Sequence, residues 1–115
     1  MLIKRGEVFW TNLDPTRGSE QAGYRPVLVI QNDIGNTDAP TTIVAPLTTK
    51  NFSKEYPTNV HVSKGEAGLK SDSVILLSQI RTLDKARLGE KMGRLSDIYL
   101  NKVNDAIKIS LGLDN

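Results

Sequence analysis

The 115-residue chain has no cysteine, which excludes disulfides, thiolate-bound zinc and iron–sulfur clusters and fits a reducing compartment. Histidine is almost as scarce. His61 is the single one, so a two-histidine acid–base pair cannot be built within one chain, and its alternating surroundings read as a partly exposed strand. Long apolar runs are missing as well. No stretch approaches the roughly 18 residues of a membrane helix, and Met1-Leu2-Ile3-Lys4-Arg5 leads into no signal-peptide core. The expectation is a cytoplasmic protein with no membrane partner. Strong charge of one sign is also absent: 15 basic against 13 acidic side chains leave a net +2, so a nucleic-acid site has to be local rather than a protein-wide positive field.

The usual hydrolytic motifs are missing too. There is no H-E-x-x-H, no G-x-S-x-G and no G-x-x-x-x-G-K-[ST], which leaves zinc protease, serine hydrolase and phosphate-loop chemistry without sequence support. Carboxylates occur singly and never as Asp-x-Asp, which weakens a magnesium nuclease. Catalysis, if present, is expected to proceed with no metal and no other cofactor.

What is present is a succession of short β patterns and one helix. At 115 residues with 38% apolar composition, a single domain spanning 1–115 is expected. Val8 to Leu13 is rich in β-formers and stops at Asp14-Pro15. Pro26 leads into Val27-Leu28-Val29-Ile30, a continuous apolar run that predicts a central strand buried on both faces. Asn32, Asp33, Gly35 and Asn36 read as a turn before a third strand, Thr41 to Leu47, ending near Thr48. Lys50 to Pro57 reads as an exposed loop, Thr58 to Val62 as a strand, the Gly65–Gly68 stretch as a loop and Ser73 to Leu77 as a buried strand. Gly89 and Gly93 argue for short strands between Arg81 and Leu95. Leu100, Val103, Ile107 and Leu111 then recur at helical spacing, with Ser96 as N-cap and Gly112 at C′. Short strands with one amphipathic helix predict a mainly β fold, a small curved antiparallel sheet or barrel with the helix over its open side.

The most unusual local segment is Gly18-Ser19-Glu20-Gln21-Ala22-Gly23-Tyr24-Arg25-Pro26, a polar loop running into the buried strand with an arginine at the junction. The Arg25 guanidinium fits a phosphate, and it equally fits a structural pairing with a carboxylate at a strand entrance. Thr48 and Thr49 place hydroxyls at the end of the third strand, either as donors to a phosphate or as ordinary strand-end threonines. Lys50, Phe52, Lys54 and Tyr56 interleave charge and rings, as in a single-strand-binding loop or a solvated hairpin. Ser78, Gln79, Arg81 and Thr82 add hydrogen-bonding groups whose spacing reveals no role. Trp10 reads as core or interface.

Taken in order, Arg5-Gly6-Glu7-Val8, the run from Gly23-Tyr24-Arg25-Pro26 to Asp33, Pro46-Leu47-Thr48-Thr49 and the run from Asp72 to Thr82 resemble the MazF/PemK family of toxin ribonucleases. The resemblance covers the whole chain and is strongest toward the enzymes of Gram-positive bacteria. It implies an SH3-like barrel of the type shared by CcdB, MazF and PemK toxins, and a homodimer with single-stranded RNA along its interface. It also implies cleavage at short mRNA motifs, with a MazE-like antitoxin, acidic and flexible toward its C-terminus, as partner. In the family motif the arginine corresponds to Arg25 and the threonine to Thr48, which become the expected catalytic pair. Arg17, Ser19, Glu20, Gln21, Lys50, Phe52, Tyr56, Ser78 and Gln79 become the expected RNA-binding residues.

The implied chemistry is attack of a ribose 2′-hydroxyl on the adjacent phosphorus, leaving a 2′,3′-cyclic phosphate and a 5′-hydroxyl. A guanidinium that stays protonated at ordinary pH is a poor base, so Arg25 is read first as a stabiliser of the phosphorane and only second as an acid or base. Two other readings stay open: a CcdB-like gyrase poison, although the chain ends Leu113-Asp114-Asn115 and lacks the aromatic tail such toxins use, and a non-catalytic barrel that binds single-stranded RNA.

Overall fold

The apolar run that predicts a doubly buried strand lies at the centre of the molecule. The computed structural model describes residues 2–50 and 54–113. Among these residues seven strands, β1 (Glu7–Asn12), β2 (Tyr24–Val29), β3 (Thr41–Thr48), β4 (Asn59–Val62), β5 (Ser73–Leu76), β6 (Arg81–Asp84) and β7 (Leu88–Arg94), form one sheet, with helices α1 (Asp33–Asp38) and α2 (Asp97–Ser110). The strand order is β4-β5-β3-β2-β1-β7, with β6 also on β3, and every pair is antiparallel. The expected mainly β fold of short antiparallel strands with a C-terminal helix is what the structure shows.

Alternation along β2 explains its burial on both faces. Leu28 joins a core with Val8, Ala45, Leu47, Ile75 and the α2 residues Leu100, Val103 and Ala106. Val27 and Val29 face the other way, into a second core with Ile3, Phe9, Leu13, Val44, Leu83 and Leu88. The two ends of the sheet meet by packing. A 3-10 turn after β4 (Glu66–Gly68) lies on β7, so closely that a Cβ on Gly93 would stand 2.7 Å from the Ala67 carbonyl. Glu66 Oε1 also accepts the Ser96 N–H at 2.6 Å, tying this turn to the start of α2.

Three local expectations need correction. The Asn32–Asn36 stretch is not a simple turn but opens into α1, because the Asn32 side chain caps Gly35 N at 2.8 Å and Asn36, buried, accepts from Thr42 Oγ1 and donates to the Gln31 carbonyl. Ser96 has the extended backbone of an N-cap, yet its side chain makes no capping bond. Leu111 lies past the helix and is 58% exposed, and Ala106 takes its place in the core. Gly112 behaves as expected: at φ 70°, it lets Leu113 N reach the Lys108 carbonyl and its own N–H reach Ile109, a complete Schellman end.

Candidate active site

The site begins with a proline. Antiparallel ladders bond on alternate residues, and the bond from Ile30 N to the Ile43 carbonyl fixes which ones in the β2–β3 pair. Following the register, Pro26 is the position whose N–H would pair with the Leu47 carbonyl, and proline has none. The last registered pair is Val27–Pro46. Past it, the neighbouring side chain supplies the missing donor: Arg25 Nη1 bonds the Leu47 carbonyl at 3.3 Å, and its Nε bonds the Ala22 carbonyl at 2.8 Å. The guanidinium is thus held by two backbone oxygens, while Nη2 makes no hydrogen bond among the described residues. Among the described residues Arg25 pairs with no carboxylate, so the strand-entrance ion pair is not formed.

Thr48 is buried at the adjacent end of β3, its Oγ1 accepting the Lys50 N–H at 3.2 Å. Arg25 and Thr48 line one depression of about 260 Å3 with Trp10, Tyr24, Thr49 and Ser73. Trp10 lies half-buried, stacked on exposed Tyr24 at 5.1 Å between centroids and 7° between planes. It belongs to neither core.

Seven of the other expected residues fall into two hollows. One, of about 560 Å3, includes Leu13, Pro46 and Ile80 in its apolar lining and Ser19, Glu20, Gln21, Ser78, Gln79 and Arg81 in its polar one. The second, of about 500 Å3, shares Ser19, Gln21, Ser78 and Gln79 and adds Lys50 and Tyr56, so the two adjoin. Gln79 spends its amide on the loop itself, accepting Gln21 N at 2.7 Å and donating to the Ser19 carbonyl at 3.4 Å. Lys54 Nζ lies 5.4 Å over the Tyr56 ring. Arg17 is exposed and lines none of these hollows; its backbone closes a turn with Glu20. Phe52 lies outside the described residues. Arg81, whose role spacing leaves open, bonds the Leu13 carbonyl through Nη1 at 3.0 Å, and Arg87, which carries no sequence signal, bonds the Asn12 and Asp14 carbonyls through Nη2; both anchor the root of the 14–23 loop. Among the described residues no three His, Asp or Glu side chains gather where a metal ion could be held, and no helix is long and apolar enough to cross a membrane.

A family model for the PemK-like, MazF-like toxin of type II toxin-antitoxin systems matches residues 4–111. The chain belongs to this family. Among curated relatives, endoribonuclease EndoA of Bacillus subtilis is 51% identical over 113 residues, covering 98% of this chain and 97% of its own. Endoribonuclease MazF of Staphylococcus saprophyticus is 53% identical over 112 residues, covering 97% and 93%. The family fold is equally evident in solved structures. A mycobacterial endoribonuclease in complex with its cognate antitoxin superposes with a TM-score of 0.83 at 26% identity, covering 98% of both chains.

Proposed function

We propose that the chain is a single-domain cytoplasmic toxin that cleaves single-stranded mRNA at specific sequences without a metal, with Arg25 and Thr48 as its catalytic residues. The observation that carries this reading is the shared depression. A backbone-anchored guanidinium and a buried threonine hydroxyl line one small hollow beside a stacked aromatic pair, and relatives above 50% identity over nearly their full length are named endoribonucleases.

In this reading the 2′-oxygen attacks phosphorus, the 5′-oxygen departs, and one proton passes from the first to the second. Arg25 and Thr48 donate to the oxygens on which charge gathers. Such preorganised donors contribute roughly 3 to 4 kcal/mol each. The two adjoining hollows carrying Ser19, Glu20, Gln21, Lys50, Tyr56, Ser78 and Gln79 hold the flanking nucleotides, and Arg17 and Phe52 are assigned to the same RNA strand. The protein acts as a homodimer, and a MazE-like antitoxin with an acidic, flexible segment covers the groove, folding as it binds.

The test is incubation of purified protein with a long single-stranded RNA in excess EDTA, followed by mapping of fragment ends. Discrete cuts with cyclic phosphate and 5′-hydroxyl ends, lost in Arg25→Ala, support the reading. No cutting overturns it and favours a gyrase poison or a passive RNA binder, and cutting only with added magnesium overturns the metal-free mechanism.

A further inference from the structure

Beyond the Arg25–Thr48 depression the sheet carries another hollow of about 420 Å3, lined by Thr49, Lys50, His61, Ser63, Asp72 and Ser73 among others. Thr49 and Ser73 line both, so the two adjoin. Strand register places Thr48 of the first and His61 of the second on one face. Val74 of β5 is opposite Thr48 of β3 on one side and opposite His61 of β4 on the other. Leu47, Ile75, Val60 and Val62 on these same strands point into the core under α2, so by alternation Thr48, Val74 and His61 form a cross-strand row on the opposite face. Two strand spacings separate the ends of that row, about 10 Å. A flexible RNA strand covers such a distance within one or two nucleotides.

The hollow also has the right chemistry for a backbone phosphate. His61 is half exposed, and its Nε2 lies 3.6 Å from Glu55 Oε1, a carboxylate that is itself 89% exposed. An exposed pair of this kind contributes little and yields readily to a competing anion. Asp72, the other carboxylate here, is engaged through Oδ1 with the Lys64 N–H at 2.8 Å. Lys50 lines this hollow and also the one carrying Tyr56, so it joins the new hollow to the main groove.

We propose that this hollow is an additional RNA subsite, in which His61 and Lys50 hold the backbone phosphate of a nucleotide flanking the cleaved bond. The proposal rests on the ribonuclease reading of the Arg25–Thr48 depression. Its occupant is the same RNA strand, continued along the sheet.

The test measures binding of a short mixed-sequence RNA with 2′-methoxy sugars throughout, which cannot be cleaved at any position, as a function of salt. His61→Glu should weaken binding about three- to tenfold at low salt, and the log-log salt slope should fall by about 0.7, one phosphate's share. His61→Lys should restore both, and Glu55→Gln should tighten binding. Lys108→Glu, on α2 across the sheet, controls for net charge, and thermal unfolding of each variant controls for folding. Equal affinity and slope in His61→Glu and wild type overturn the subsite, as does an equal loss in Lys108→Glu. Cleavage of unmodified RNA by the wild type is scored separately. Cutting with a silent His61 sinks the subsite alone, whereas a His61 effect without cutting sinks the ribonuclease reading and leaves an RNA-binding hollow.

Discussion

Arg25 reaches across from β2 to donate to the carbonyl of Leu47, the residue immediately before Thr48 on β3. This contact couples the two residues assigned to catalysis. The carbonyl it satisfies is the one that Pro26 cannot, so the proline beside the arginine creates the vacancy that fixes the arginine's position. With Nη1 and Nε bound to backbone, rotation of the guanidinium is restricted. Positioning of this kind lowers the reorganisation a donor needs when charge develops on substrate.

Arg25→Lys is expected to behave almost as badly as a deletion of the side chain. An ammonium is a single point of charge and cannot bond the Ala22 and Leu47 carbonyls while presenting a planar fork to a phosphate. The single-turnover cleavage rate should fall about 100- to 1000-fold, with melting temperature changed by only a few degrees because Arg25 is partly exposed. Retention of more than a tenth of the wild-type rate would show that charge alone suffices.

Thr48 separates hydroxyl from shape. Thr48→Val keeps the volume and loses the donor, whereas Thr48→Ser keeps the donor and loses a methyl. Single-turnover rates should drop about a hundredfold in the first and only a fewfold in the second. The reverse order would make Thr48 a packing residue.

Much of this architecture is legible in residue types. The apolar run Val27-Leu28-Val29 announces a strand buried on both sides, and Gly112 marks the helix end, because both signals are local. α1 is not legible: six residues are too few for helical periodicity, and the helix depends on the Asn32 cap, on the bond Asn36 donates to the Gln31 carbonyl and on the one it accepts from Thr42. The catalytic assignment of Arg25 and Thr48 came from family resemblance, since nothing in their spacing brings them together. Their meeting depends on β2–β3 register and on a proline at one rung of that ladder. The Trp10–Tyr24 stack and the anchors from Arg81 and Arg87 are tertiary contacts with no local signature.

Gln79 should act on binding rather than on chemistry. Both ends of its amide are spent on the 19–21 loop, so Gln79→Ala releases a wall of the groove without removing a group from the scissile phosphate. The lost hydrogen bonding corresponds to about 1 kcal/mol. KM for RNA should rise about fivefold with kcat nearly constant. A fall in kcat at unchanged KM would place Gln79 in the chemical step instead.

Asp33 carries the clearest pH dependence. The Arg5 N–H, 2.7 Å from Oδ1, is the largest cause holding its carboxyl below the ordinary 3.8, followed by the Asn36 amide at 3.1 Å; the charges of Lys4 and Arg5 add to this, and slight desolvation opposes it. A folded-state pKa below the unfolded one contributes stability that is fully present above the unfolded value and is lost as pH falls through the folded value. Asp33→Asn imitates the protonated acid. Its melting temperature should therefore lie below wild type at pH 7, and the difference should shrink below pH 3.8 and vanish once wild-type Asp33 is protonated. A difference that persists at the lowest pH at which both proteins fold would show that Asp33 stabilises α1 through shape and not through charge.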